Sequence, residues 1–240
     1  MCTAGKTSGT LGDWPNARPH SRLGSYPGAV ISVVFDVGET LVDDTREWRA
    51  WAEWLGVPPH TMSALVGAVT AQGRDNADAL RLIQPGFDLP AERKARIAAG
   101  CGEQITEADL YGDVRPALSD LRSLGLWVGI AGNQTSRAGD CLRSLDLPAD
   151  AIATSQEWGV AKPDPAFFAR VAEWAPGSRG EIVYVGDHPA NDVGPARAAG
   201  LRTALVRRGP WGYLWAADPD GGGAADWVVD SLADLPGLLR

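Results

Sequence analysis

The chain has 240 residues, 45% of them hydrophobic and 22% charged, with a net charge of −8. That is the make-up of a globular protein with room for one large domain or for a core with an insertion. The acidic balance argues against a nucleic-acid partner, which needs a basic face, but one lysine and a few backbone N–H groups still suffice for a small anion. The three cysteines, Cys2, Cys101 and Cys141, form no Cys/His cluster and no pairing pattern, so free thiols in a reducing cytoplasm are expected. No apolar run is long enough to span a membrane, and the first residues lack the basic-then-apolar order of a secretion signal. A cytoplasmic protein without a membrane partner is the expectation, and its oligomeric state is not readable.

Residues 1–29 are rich in Gly, Ser, Thr and Pro and lack apolar periodicity, which predicts a disordered or loosely attached tail. From residue 31 the pattern alternates. The β-rich runs are ISVVFD (31–36), LWVGIA (126–131), AIAT (151–154), EIVYVG (181–186) and LRTALV (201–206). Helical patterns follow at 114–125, 136–146, 164–175 and 190–200, and 226–239 reads as a last short strand and helix. Strands alternating with helices predict an α/β fold, with a parallel sheet covered by helices on both faces and a ligand site at the carboxyl ends of its strands. One interval breaks the rhythm. REWRAWAEWLG, TMSALVGAVTAQG, NADALRLI and AERKARIAAG read as amphipathic helices, predicting an all-helical insertion over 45–110 that packs over that edge as a lid would. The core is then 30–44 with 111–240. Trp48, Trp51 and Trp54 recur every third residue and predict a buried helix face inside the insertion. Trp158, Trp211 and Trp215 fall near the expected site edge, where they could line a pocket.

Four pieces sit at strand ends. Asp36 closes the first strand, with Thr40 just beyond. AGNQTS places Gly132 and Asn133 after the second. Lys162, one of three lysines in the chain, lies in VAKPDP before a helix. GDHPAND places Asp187 and Asp192 after the fourth strand. In this order they resemble the haloacid dehalogenase-like (HAD) superfamily, whose members are mostly magnesium-dependent phosphatases. The likeness covers roughly 31–235 and implies a Rossmann-like core with a helical C1-type cap. By that resemblance Asp36 is the nucleophile, forming an aspartyl-phosphate with a small phosphorylated substrate. Mg²⁺ is held by Asp36, the Gly38 carbonyl, Asp187 and Asp192, with Asp192 either a ligand or an anchor for Lys162. Lys162 pairs with Asp36 and with the phosphate, and the N–H groups around Asn133, at the start of a helix, hold a phosphate oxygen together with Gly132. His188 reads either as an acid/base group or as a loop residue.

Two positions depart from the family pattern. Its phosphatases carry Asp where this chain has Gly38; that residue protonates the leaving oxygen and then activates water, help worth about 10²- to 10⁴-fold in rate. Glu39 is adjacent, at a position usually held by glycine, but neighbours in a loop point different ways. Gly132 stands where Ser or Thr is usual, and the hydroxyls of Thr135 and Ser136 are the candidates to compensate. The leading expectation is a phosphatase atypical at Gly38, one that an aspartate at 38 would accelerate. The alternatives are a weak or inactive relative that binds a phosphorylated ligand, and a metal-independent carbon–halogen hydrolase, against which GDHPAND argues. Schiff-base chemistry from a cap lysine has only Lys94 to draw on.

Overall fold

The computed structural model describes residues 28–219 and 222–240. The tail expected at 1–29 lies outside these residues except for Gly28 and Ala29; the Gly28 carbonyl accepts a hydrogen bond from Arg202 at 2.7 Å.

Six strands form one parallel sheet: β1 Ser32–Phe35, β2 Trp127–Gly132, β3 Ala151–Thr154, β4 Ile182–Gly186, β5 Arg202–Val206 and β6 Trp227–Val229. Their order is β3-β2-β1-β4-β5-β6, with every pairing parallel. Each begins within one residue of its apolar run, because strands buried on both faces read as unbroken β-branched stretches. Successive side chains point to opposite faces. Val33 and Phe35 pack with Val128, Ile130, Val183 and Val185 on one face, under α5 (Val114–Ser123), α6 (Ser136–Ser144) and α11 (Leu235–Leu238). Val34, Ala131, Ile182 and Tyr184 pack on the other, under α8 (Pro165–Trp174) and α9 (Gly194–Ala198). Two short helices escape the sequence pattern: α7 (Ser155–Trp158) and α10 (Gly209–Trp215). The stretch at 190–200 is also not one helix. A π-helical turn at Pro189–Val193 precedes α9.

Between β1 and β2 the chain runs through α1 (Thr45–Trp54), α2 (Pro59–Thr70), α3 (Asp78–Ile83) and α4 (Leu89–Ala98), and a 3₁₀ turn at Glu107–Asp109. These helices share an apolar cluster separate from the sheet's, centred on Trp51, Met62, Val66, Val69, Leu80 and Phe87. The three-residue spacing of Trp48, Trp51 and Trp54 places one buried and two half-buried indoles on that face. Trp51 meets Phe87 edge-on with 5.6 Å between centroids, and the buried Arg96 guanidinium lies 4.1 Å above the Trp51 ring. Arg96 is itself paired with Glu47 at 2.7 Å, joining α4 back to α1. Asp88 caps α4 by accepting from the Ala91 N–H at 3.1 Å.

The strand order decides where a ligand can sit. The chain winds away from β1 in both directions, so a crevice opens at the carboxyl ends of β1 and its neighbours. Phe35 is in register with Val185 on one side and Ile130 on the other. Asp36, Asp187 and Gly132 therefore converge from three adjacent strands.

Candidate active site

Asp36 is 8% exposed, and its N–H donates to the Val185 carbonyl, which continues the β1–β4 ladder one residue into the loop. Its carboxylate leans over β2. A Cβ at Gly132 would run into Asp36 Oδ1. The missing side chain at 132 is thus the space that the Asp36 carboxylate occupies.

Lys162 is the centre of charge. Its Nζ lies 2.6 Å from Asp36 Oδ1 and 2.6 Å from Asp192 Oδ1, above the ring of Tyr184 at 5.5 Å. Burial alone would favour the neutral amine, but Asp192 and Asp36 outweigh it and hold Lys162 well above its ordinary pKa. Asp192 also accepts from the His188 N–H through Oδ2 at 2.9 Å, so both of its oxygens are engaged and it anchors the lysine. Asp187 is 4% exposed. Oxygens of Asp36, Asp187 and Asp192 all lie within 4.8 Å of one another. Burial raises Asp187 well above the usual carboxylate range, with Asp192 and Asp36 adding to it. Burial raises Asp36 too, against the pull of Lys162. Three buried carboxylates facing one ammonium leave an excess of negative charge, and a hard dication with oxygen ligands fits such a donor set.

Several predicted residues do something other than expected. The Asn133 side chain is engaged with Lys162: its Nδ2 donates to the Lys162 carbonyl at 2.8 Å, and its Oδ1 accepts the Lys162 N–H at 2.7 Å. It fixes the lysine's backbone. The helix after β2 starts at Ser136 rather than around Asn133, with Thr135 as its cap. The Thr135 hydroxyl accepts from the Ala138 N–H and donates to Glu103 at 2.5 Å, so it does not replace a hydroxyl at 132. Trp158 packs against Phe167 and Trp174 beneath the other face of the sheet.

His188 stacks on Trp211 with centroids 3.7 Å apart, and its Nδ1 accepts the N–H groups of Ala190 and Asn191. Burial pushes its pKa down to about 4, so it is a neutral loop-building imidazole at neutral pH. Glu39 has φ +51, the left-handed conformation that favours glycine. Its carboxylate accepts the Tyr111 hydroxyl at 2.5 Å. Tyr111 in turn lies under Arg208, whose Nη1 donates to the Thr40 carbonyl at 2.7 Å.

The residue that sequence reasoning missed is Asp44. A Cβ at Gly38 would lie 2.9 Å from Asp44 Oδ2 and 3.4 Å from Oδ1. An aspartate at 38 therefore has to displace the Asp44 carboxylate. Directly before a helix, Asp44 reads as a cap, and nothing local in the sequence distinguishes it from one. A hollow of about 50 Å³ opens here, lined by Val37, Asp43, Asp44, Arg46, Glu47, Glu103, Asp109 and Gln134 among others. Burial raises Asp44 well above the usual carboxylate range, helped by Glu39 and Asp36.

A family model described as haloacid dehalogenase-like hydrolase matches residues 32–200. Haloacid dehalogenase-like hydrolase domain-containing protein 3 of Danio rerio is 34% identical over 142 residues, 58% of this chain and 56% of that protein. Phosphatase MT3486 of Mycobacterium tuberculosis is 34% identical over 157 residues, 63% of this chain and 66% of that protein. The matched region thus spans between about half and two thirds of these relatives. Among solved structures, YfnB of Bacillus subtilis, crystallised with magnesium, superposes with a TM-score of 0.64 at 19% identity, covering 89% of this chain and 100% of that one. At that identity the likeness is one of fold.

Proposed function

The chain belongs to the haloacid dehalogenase-like hydrolases, and from that premise we propose that it is a magnesium-dependent phosphatase of a small phosphorylated metabolite. The observation that carries this reading is the Lys162 ammonium bridging Asp36 and Asp192 at 2.6 Å each, beside the Asp187 carboxylate. Asp36 Oδ attacks phosphorus, the bond to the leaving oxygen breaks, and an aspartyl-phosphate forms; water then attacks phosphorus and returns Asp36 with inorganic phosphate. Lys162 offsets the charge on the nucleophile and on the equatorial phosphoryl oxygens, and Asn133 fixes the lysine's backbone for that task. Mg²⁺ would be held by Asp36, the Gly38 carbonyl and Asp187, with Asp192 in support, and would supply charge that draws a dianion towards a carboxylate. Gly132 and the backbone beside Asn133 border the phosphoryl position.

In this reading residues 45–110 act as a cap whose walls select the leaving group, and 30–44 with 111–240 form the catalytic core. Cys101 and Cys141 are free thiols, which suits a cytoplasmic setting, and among the described residues no helix is long and apolar enough to cross a membrane. The buried carboxylate cluster favours this reading over metal-independent carbon–halogen cleavage. The test is phosphate release from a panel of phosphate monoesters and acyl phosphates, with Mg²⁺ and with EDTA. Mg²⁺-dependent release that disappears in Asp36→Asn is the expected result, and release that survives in Asp36→Asn overturns the reading.

A further inference from the structure

Phosphate transfer from an ester needs a proton for the departing oxygen and, afterwards, a base for the attacking water. The residues around Asp36 are mostly committed elsewhere. Lys162 is bound between Asp36 and Asp192. Glu39 is held by Tyr111. Asp43 accepts the Thr45 N–H at 2.8 Å. The His188 ring lies flat on Trp211 with its Nδ1 occupied. Asp44 is different on two independent grounds. It is the N-cap of α1, yet its carboxylate accepts no helix N–H, and among the described residues it takes part in no side-chain hydrogen bond. It also sits against the Cα of Gly38, two residues after Asp36, on the wall of the hollow that reaches Val37.

We propose that Asp44 is the general acid and base of this site, its carboxyl group filling from α1 the space left by the absent side chain at position 38. The assignment rests on the phosphatase reading above. As Asp36 Oδ bonds to phosphorus and the phosphorus–oxygen bond to the leaving group breaks, the Asp44 O–H proton passes to that oxygen and an alcohol departs. Asp44, now a carboxylate, takes a proton from the water that attacks phosphorus. The bond between phosphorus and Asp36 breaks, and inorganic phosphate leaves with Asp36 and Asp44 in their starting forms. The geometry explains how glycine is tolerated at 38: a side chain there and the Asp44 carboxylate compete for one space.

The test uses the full chain with Mg²⁺ and compares wild type, Asp36→Asn, Asp44→Asn and Asp44→Ala carrying Gly38→Asp. The probes are p-nitrophenyl phosphate, with a good leaving group, and phenyl phosphate, with a poorer one. Asp44→Asn keeps the shape, so it should fold. It should lose about 10²-fold or more on phenyl phosphate. On p-nitrophenyl phosphate it should give a burst of about one nitrophenol per enzyme, with phosphoryl-enzyme accumulating in the intact mass. Gly38→Asp should restore turnover to Asp44→Ala, because the acid is then supplied from the other side of the same space. Wild-type turnover that dies in Asp36→Asn and persists undiminished in Asp44→Asn overturns the role of Asp44 alone. No turnover of either probe by wild type overturns the phosphatase reading and the assignment with it.

Discussion

Asp36 Oδ1 rests where a side chain at 132 would begin, so the position of the Asp36 carboxylate depends on what residue 132 lacks. Even one methyl group there would push the carboxylate off Lys162 Nζ. Gly132→Ala should therefore lower kcat/KM by about 10²-fold, the cost of a misplacement on the order of 1 Å. The fold should survive, because the obstacle is the movable end of a side chain; phosphate release and a thermal melt, read together, check this. The same residue shows how a departure from a family pattern is to be read. The sequence shows that a hydroxyl is missing after β2. Only the packing shows that the Asp36 carboxylate has taken its place, because the contact joins two strands 96 residues apart in the chain. Asn133 has a similar history: its position after β2 was legible, and its reciprocal bonds to Lys162 were not.

At the scale of elements, three helices begin with aspartates that decline to cap them: α1, α5 and α11, the last at Asp234. Asp44 opens α1 and Asp113 opens α5, and neither carboxylate accepts a helix N–H. Asp113 is spent on a junction. It pairs with Arg208 and accepts from the Ser231 hydroxyl at 2.6 Å and the Leu232 N–H at 2.9 Å. Arg208 then reaches the Thr40 carbonyl, so one ion pair ties the loop after β1 to the start of α5, the end of β5 and the turn before α11. Burial alone would raise the Asp113 pKa, but Ser231, the Arg208 charge and the Leu232 N–H together hold it below its ordinary value. A carboxylate depressed in the folded state adds stability above its unfolded pKa of about 3.9, and that stability is lost as the pH falls through the folded value. Asp113→Asn should therefore cost about 1–3 kcal/mol at pH 7, the worth of hydrogen bonds to a charged group, and should flatten the fall in stability below about pH 4. Urea melts at stepped pH check it; a parallel acid limb in the variant would refute it. The elements themselves were legible where a period runs long enough. The six strands and the helices of the insertion follow from apolar runs and three- and four-residue spacings. The four-residue α7 and the tryptophan-rich α10 are too short, or too uniformly apolar, for a period to show.

For the whole molecule, the surplus of buried negative charge at the strand ends is the dominant electrostatic fact. Asp36, Asp187 and Asp192 share one lysine, and the folded state bears their repulsion. Mg²⁺ bound there would stabilise only the folded chain. At about 100 times its Kd it should raise Tm by roughly 5 to 10 °C. Asp187→Asn should raise the metal-free Tm and shrink the Mg²⁺ increment, which differential scanning fluorimetry would read. The gross architecture was legible because parallel strands and intervening helices leave few other topologies. The partner of each site residue was not: Lys162 meets Asp36, Asp192 and Asn133 from loops far apart in the chain, and no local pattern encodes those contacts or the docking of the insertion.

Trp211 spans that docking. Its ring lies on His188, next to Asp187, while its indole N–H donates to Asn76, beyond the end of α2, at 2.9 Å. Its neighbour Trp215 donates to the Thr70 carbonyl at 3.2 Å. The chain thus carries its own optical reporter: one chromophore touches the strand-end loop and the insertion at once. Subtracting the emission of a Trp211→Phe variant isolates its signal from the other nine indoles. Any ligand-dependent change where the insertion meets the strand-end loop can then be read in that emission, on unlabelled protein.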